Sequence, residues 1–257
     1  MDFKKFISIH KISIVSIAIG IGIALWHFEK GVLMWNNPAY GIPENAYISW
    51  LGGTLFFSQS YWFYLIFPLL ASIATGIEYG ILKKNKYFYQ YRIRMGKARY
   101  TMLLGFRIFA IGFLVIAIPL ALNFILTMMV KPLLYPDSLV AIGPYANEIG
   151  AKLFYSHPMV YTIGYIIFDG IFAGTISLFT AVLCNCMENY FLAVIVPYGI
   201  YYALVTISNL FAWECISLNM ALNPGHGLKG IACFVEIIVF TITTIFLWII
   251  QGAKEDN

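Results

Sequence analysis

Little in this sequence carries charge. Of 257 residues, 11% are Asp, Glu, Lys or Arg, against 61% apolar, and the mean hydropathy is +0.80. A soluble domain carries about 25% charged and roughly 45–50% apolar residues, so a water-exposed fold of this size would have too few polar groups to cover its surface. Disorder is excluded on the same grounds, because disordered chains are poor in apolar residues. Cysteine is scarce too: Cys184, Cys186, Cys215 and Cys233. Cys184 and Cys186 stand one residue apart, closer than a zinc knuckle allows, and the four are expected to serve packing. Catalytic signatures are missing: no H-E-x-x-H, no G-x-S-x-G and no paired acidic cluster. His10, His27, His157 and His226 have no ligand spacing. The phosphate-binding G-x-x-x-x-G-K-[ST] is absent as well; GKARYT at 96–101 lacks the leading glycine. The expectation is no enzyme, no metal and no nucleotide or other cofactor bound by this chain.

What the chain has is long uncharged runs. A membrane helix needs about 20 mostly apolar residues, and six stretches qualify, at about 12–28, 58–82, 103–130, 159–183, 190–211 and 230–250. The fold class expected is an all-α integral membrane protein with six transmembrane helices in one domain over 1–257. The first run is longer than a signal-peptide core and is followed by bulky Trp26, His27 and Phe28 rather than a small-residue cleavage site, so it is read as retained. No internal repeat is evident.

Orientation follows from the basic residues. Twelve of the sixteen Lys and Arg fall on one side if the termini share it: Lys4, Lys5, Lys11, Lys83, Lys84, Lys86, Arg92, Arg94, Lys97, Arg99, Arg107 and Lys254. Lys30, Lys131, Lys152 and Lys229 fall on the other. The positive-inside rule therefore puts both termini in the cytoplasm. Trp50, Tyr61, Trp62, Tyr155 and Trp248 lie near span ends, where interfacial aromatic belts are expected. The outer segment 212–230, broken by Pro224 and three glycines, is either a loop or a re-entrant element.

One cytoplasmic connection is substantial: KKNKYFYQYRIRMGKARYT, 83–101. A short helix over about 86–95, stopped by Gly96, would set Phe88 beside Tyr91 and Arg92, and Tyr89 beside Arg92 and Ile93, at i+3 and i+4 spacing. With Tyr87 and Arg94 it would form an aromatic ridge flanked by cations. Two readings stand: a basic hairpin resting on anionic lipid, or a docking helix whose aromatics anchor in a protein partner. Nucleic acid is not an expected partner, because the element is short and tied to the membrane.

Ionisable groups inside spans need a reason, since each costs roughly 2.5–3.5 kcal/mol on insertion scales. Asp169 sits mid-span in GYIIFDGIFAGTISL, beside the G-x-x-x-G pair Gly170 and Gly174. It is read either as hydrogen-bonded to another helix, through Asn123 or a hydroxyl, or as lining a substrate path or the seam between two copies. Glu78 and Arg107 lie equidistant from the middle of the 83–101 connection, so they are candidates for an ion pair bracing the hairpin. Glu188, in the inner turn CNCMENY, either touches a cytoplasmic partner or caps the next span.

The run PLLASIATGIEYGILKKNKYFYQYRIRMGKARYTMLLGFRIFAIGFLVIAIPLALNFIL resembles the permease subunits of type-2 ABC exporters, the six-span kind of bacterial peptide and antibiotic export or immunity systems. Pro68, Glu78, Tyr89, Arg92 and Lys97 stand where that family has its Pro-Leu-rich second span, acidic residue and coupling helix. NYFLAVIVPYGIYYALV, with Pro197, is similar to its fifth span. The resemblance implies a multi-pass permease of the bacterial cytoplasmic membrane. ATP and Mg would be held by separate ABC ATPase subunits docked on Tyr87–Arg94. A second permease copy or homologue and membrane lipids would be further partners, and the exported substrate would be a peptide, antimicrobial or amphipathic lipid-like molecule. The alternatives are an immunity or scaffold protein that binds its ligand without moving it, or an intramembrane enzyme.

Overall fold

The computed structural model describes residues 11–34, 45–53, 57–84, 96–136, 144, 148–211, 213, 218–225 and 232–254. Among them the protein is all-helical, and six helices are long and apolar enough to cross a membrane. These are α1 (Lys11–His27, continued by a π-helical turn, Phe28–Leu33), α2 (Ser58–Lys84), α3 (Lys97–Val130), α4 (Pro158–Cys186), α5 (Tyr190–Leu210) and α6 (Ala232–Lys254). Short helices at Ala46–Ser49, Ala151–Ser156 and Leu218–Leu222 lie in the connections.

Local chemistry sets several of these boundaries. Gly96 precedes α3 with φ of 78°, a conformation that favours glycine. Pro158 opens α4, where its missing N–H is no loss. Asn189 caps α5, its side chain accepting from Phe191 N at 3.0 Å. Helix α3 starts six residues before the expected 103. Its 34 residues reach roughly 50 Å, beyond the ~30 Å hydrocarbon core. Apolarity marks the part of a helix that suits lipid, and the first turns of α3 are helical without being apolar.

Helices α2, α3 and α4 form the centre. In the most apolar stretch of α4, 72% of residues are buried, against 17% in α6 and 28% in both α1 and α5. The peripheral helices are therefore half-dressed by protein: α6 buries Ile237, Thr244 and Trp248 and exposes Ile238, Ile242 and Phe246. The most extensive packing joins α3 to α4. A methyl on Gly112 would meet the Ala173 carbonyl at 2.9 Å, and one on Gly174 would meet the Phe109 carbonyl at 2.8 Å. The small residues thus let the two backbones touch, and the Gly170/Gly174 pair works within the chain, Gly170 against the Phe113 ring.

The bundle has two unlike ends. The basic end carries Lys83, Lys84, Lys97, Arg99 and the tight 187–189 turn. The loop end carries the three long connections. There the residues from Leu218 to Pro224 turn back onto the bundle: Leu218, Ala221, Leu222 and Asn223 are buried, and Tyr161 of α4 donates to the Pro224 carbonyl at 3.0 Å. Two of the expected belt aromatics are inside instead. Trp50 is 1% exposed against Phe124, and Trp248 is 6% exposed with its Nε1 on the Thr101 carbonyl, whereas Tyr61 and Trp62 are half-exposed.

Candidate functional site

Helix α2 is the element to which the bundle is tied. Pro68 lies inside it and has no N–H to give to the carbonyl of Tyr64, four residues back. That carbonyl accepts the Tyr201 hydroxyl of α5 at 3.1 Å. Further along, Ser177 of α4 donates to the Ala71 carbonyl at 2.7 Å, Ser13 of α1 to the Ala74 carbonyl at 2.6 Å, and the Cys184 thiol to the Gly76 carbonyl at 3.7 Å. Three other helices therefore grip α2 by its backbone.

Asp169 is the twelfth residue of α4, about 17 Å from its start. It is fully buried. Its Oδ2 accepts the Tyr64 hydroxyl at 3.1 Å, and its Oδ1 has no hydrogen-bond partner among the described residues. The sequence left its partner open between Asn123 and a hydroxyl; the structure gives the hydroxyl of Tyr64. The carboxyl is sealed inside the chain, so its side chain is not at the surface where a second copy would sit. Above it on the same face of α4 are Tyr165 and Tyr161, at i−4 and i−8, their rings 4.8 Å apart. Beside it the Tyr64, Phe67 and Phe172 rings stack in series.

Asn123 belongs to a separate cluster at the loop end. Its Oδ1 accepts from Leu51 N at 2.7 Å, which fixes the amide orientation, because a backbone N–H can only donate. Its Nδ2 then donates to the Ala24 carbonyl at 2.7 Å and lies 3.2 Å from His27 Nδ1. The His27 proton accordingly sits on Nε2, which has no partner among the described residues. Asn123 pins α1, α3 and the 46–51 segment together. His157 is exposed at the start of α4, whereas His27 is buried.

At the basic end, Arg107 Nη2 donates to Glu78 Oε1 at 3.0 Å, linking α3 to α2. Lys83 donates to the terminal carbonyls of α4, Cys184 and Asn185, at 3.0 and 3.1 Å, where a cation also complements the helix dipole. Tyr79 donates to Asn185, and Asn185 donates to Gln251, so α2, α4 and α6 are joined. Glu188 is exposed in the turn and does not cap α5; it lines a cleft of about 630 Å³ with Lys83, Lys84 and Tyr190. Tyr87, Phe88, Tyr89, Tyr91, Arg92, Ile93 and Arg94 lie outside the described residues. Cys184 is buried, but Cys186 is exposed, with Gln251 Nε2 3.0 Å from its sulfur.

Sequence reasoning missed Tyr64, Tyr201 and His27. Tyr64 had a legible signal, since it stands four residues before a mid-span proline. The three centres do different work: Asp169 offers a carboxyl oxygen with no partner among the described residues, Asn123 a lock, and the partly exposed basic end a link between α2 and α3. Compared with known proteins, the chain matches no protein-family model, no curated protein and no solved structure.

Proposed function

We propose that this chain is the transmembrane permease subunit of an ATP-driven exporter of the type-2 ABC kind, lying with both termini in the cytoplasm. Separate ATPase subunits dock on the coupling helix at 86–95, and ATP and Mg stay on those subunits. A second copy or a homologue completes the pathway. The exported substrate is a peptide, an antimicrobial or an amphipathic lipid-like molecule.

One observation carries this reading: α2, whose last residues lead directly into the 85–95 connection, is hydrogen-bonded through its backbone to α1, α4 and α5. An element gripped in this way cannot shift alone. When two ATPases close around ATP, the push on the coupling helix enters α2 and α3 together, because Glu78 and Arg107 join them. It then spreads to the other helices as a rigid-body movement. The 630 Å³ cleft beside Glu188 and Lys84 gives the same partner a second foothold.

The test is co-purification. The full-length protein should bring down a nucleotide-hydrolysing subunit, and Tyr89→Ala with Arg92→Glu should release it while leaving the permease folded. A pull-down with no ATPase, or one indifferent to these changes, sinks the reading in favour of a lipid-resting hairpin.

A further inference from the structure

We propose that Asp169 anchors the cationic head of an amphipathic amine, which reaches it from the bilayer through the groove between α2 and α5. The inference deepens the exporter reading and rests on it for why such a molecule is bound. Its physical basis is separate.

A carboxyl sealed in an apolar interior needs its oxygens satisfied, and a charged one needs a positive partner. Asp169 has one neutral donor, Tyr64, on one oxygen. The other oxygen is empty, and no ion pair reaches the group among the described residues. A carboxylate or phosphate ligand would set a second acid beside the first, whereas an amine can take up the carboxyl proton and pair with the carboxylate as an ammonium. An ammonium supplies both charge and donors. The surroundings suit it as well: Tyr64 donates to the carboxyl, Tyr201 holds the Tyr64 carbonyl, and Tyr165 stands one turn before Asp169 on α4. Aromatic faces and a carboxyl together form the usual chemistry of amine recognition.

The groove supplies the way in. Its cavity is about 270 Å³, lined by Tyr61, Leu65, Tyr201, Tyr202, Thr206 and Leu210 among others, without a charged residue. Such walls accept an alkyl or aromatic body and would not hold the ammonium itself. Tyr201 is in the wall, its hydroxyl holds the Tyr64 carbonyl, and the Tyr64 hydroxyl holds Asp169. Because Pro68 leaves that carbonyl without a donor from its own helix, the Tyr201 hydroxyl supplies one from α5. An outward displacement of α5 would break that bond and open the groove toward Tyr64, whose hydroxyl holds the carboxyl.

Binding of radiolabelled dodecylamine tests this, with dodecanol and dodecanoate as comparators. The full-length protein is held in phosphatidylcholine nanodiscs, and binding to empty nanodiscs is subtracted. Dodecylamine should bind saturably, at least about tenfold more tightly than either comparator, and Asp169→Asn should weaken it by about tenfold or more, the size of a lost charge-assisted bond. Thr206→Trp, on an exposed position of the groove, should weaken it without disturbing the fold, and it carries the test if Asp169→Asn does not fold. Equal binding of the three probes overturns the proposal. So does unchanged amine binding in a folded Asp169→Asn or in Thr206→Trp; Asp169 would then be a protonated structural acid. Amine binding as expected, with no ATPase partner found, overturns the exporter reading and leaves this site standing.

Discussion

The Tyr201 hydroxyl on α5 donates to the Tyr64 carbonyl on α2 at 3.1 Å, at the place where Pro68 has removed the helix's own donor. The bond repairs a defect in one helix with a side chain from another. Tyr201→Phe should therefore cost about 1–2 kcal/mol, at the upper end for interhelical bonds in membranes, because the carbonyl is left with no donor. Pro68→Ala restores a backbone N–H, and in that background Tyr201→Phe should cost less than about 0.5 kcal/mol. Reversible unfolding in mixed micelles measures both. Equal costs in the two backgrounds would mean that Tyr201 acts by packing alone.

The α3–α4 contact makes a second prediction, because its glycines are unlike Gly164 and Gly199. A methyl on Gly112 would run into Ser177 and the Ala173 carbonyl, whereas one on Gly164 or Gly199 would meet nothing within 4 Å. Gly112→Ala should destabilise by about 1–3 kcal/mol through forced backbone separation. Gly164→Ala should be neutral or stabilising by up to about 1 kcal/mol through helix propensity. Thermal midpoints of the purified variants decide it; a harmless Gly112→Ala would show the two helices to be less closely packed than described.

The six helices were legible because hydropathy sums over some 20 residues, and no single substitution obscures it. The start of α3 was not, since Lys97–Met102 extends the helix past the apolar run. Asp169 was picked out because a mid-span acid is rare, yet its partner Tyr64 lies 105 residues away, and pairing at that separation leaves no local trace. Asn123 shows the same limit: its three partners come from the α1 end and the 46–51 segment. The Glu78–Arg107 contact was easier, because a hairpin brings residues symmetric about its turn to similar depth.

Asn123 should behave as a lock. Asn123→Leu keeps the volume but leaves the Leu51 N–H, the Ala24 carbonyl and His27 Nδ1 without its amide. A loss of about 1–3 kcal/mol is expected from the buried N–H alone. Hydrogen exchange should show the Leu51 amide exchanging faster, with the protection of α4 unchanged. If the two change together, the cluster is not a separate unit.

Cys186 reports orientation. It is exposed at the basic end, which the positive-inside rule assigns to the cytoplasm. With Cys184, Cys215 and Cys233 replaced by serine, a membrane-impermeant maleimide should label Cys186 only after cells are permeabilised. Labelling of intact cells would turn the protein over and place the 85–95 connection outside, beyond the reach of any cytoplasmic ATPase.

The Glu78–Arg107 pair separates bracing from stability. Its members are 15% and 45% exposed, so water screens it, and Arg107→Gln should change stability by no more than about 1 kcal/mol. In the proposed exporter it does more than that figure suggests, because a push on the 85–95 connection would have to move α2 and α3 as one body. If the exporter proposal holds, Glu78→Gln, Arg107→Gln and the double variant should each lower substrate stimulation of the proposed partner ATPase by a similar factor, since each removes the same link and the second loss adds little. Basal hydrolysis should not change, because it belongs to the partner. Stimulation that survives all three changes would mean that the hairpin moves together without its ion pair, and that the grip of α1, α4 and α5 on α2 is enough to carry the movement.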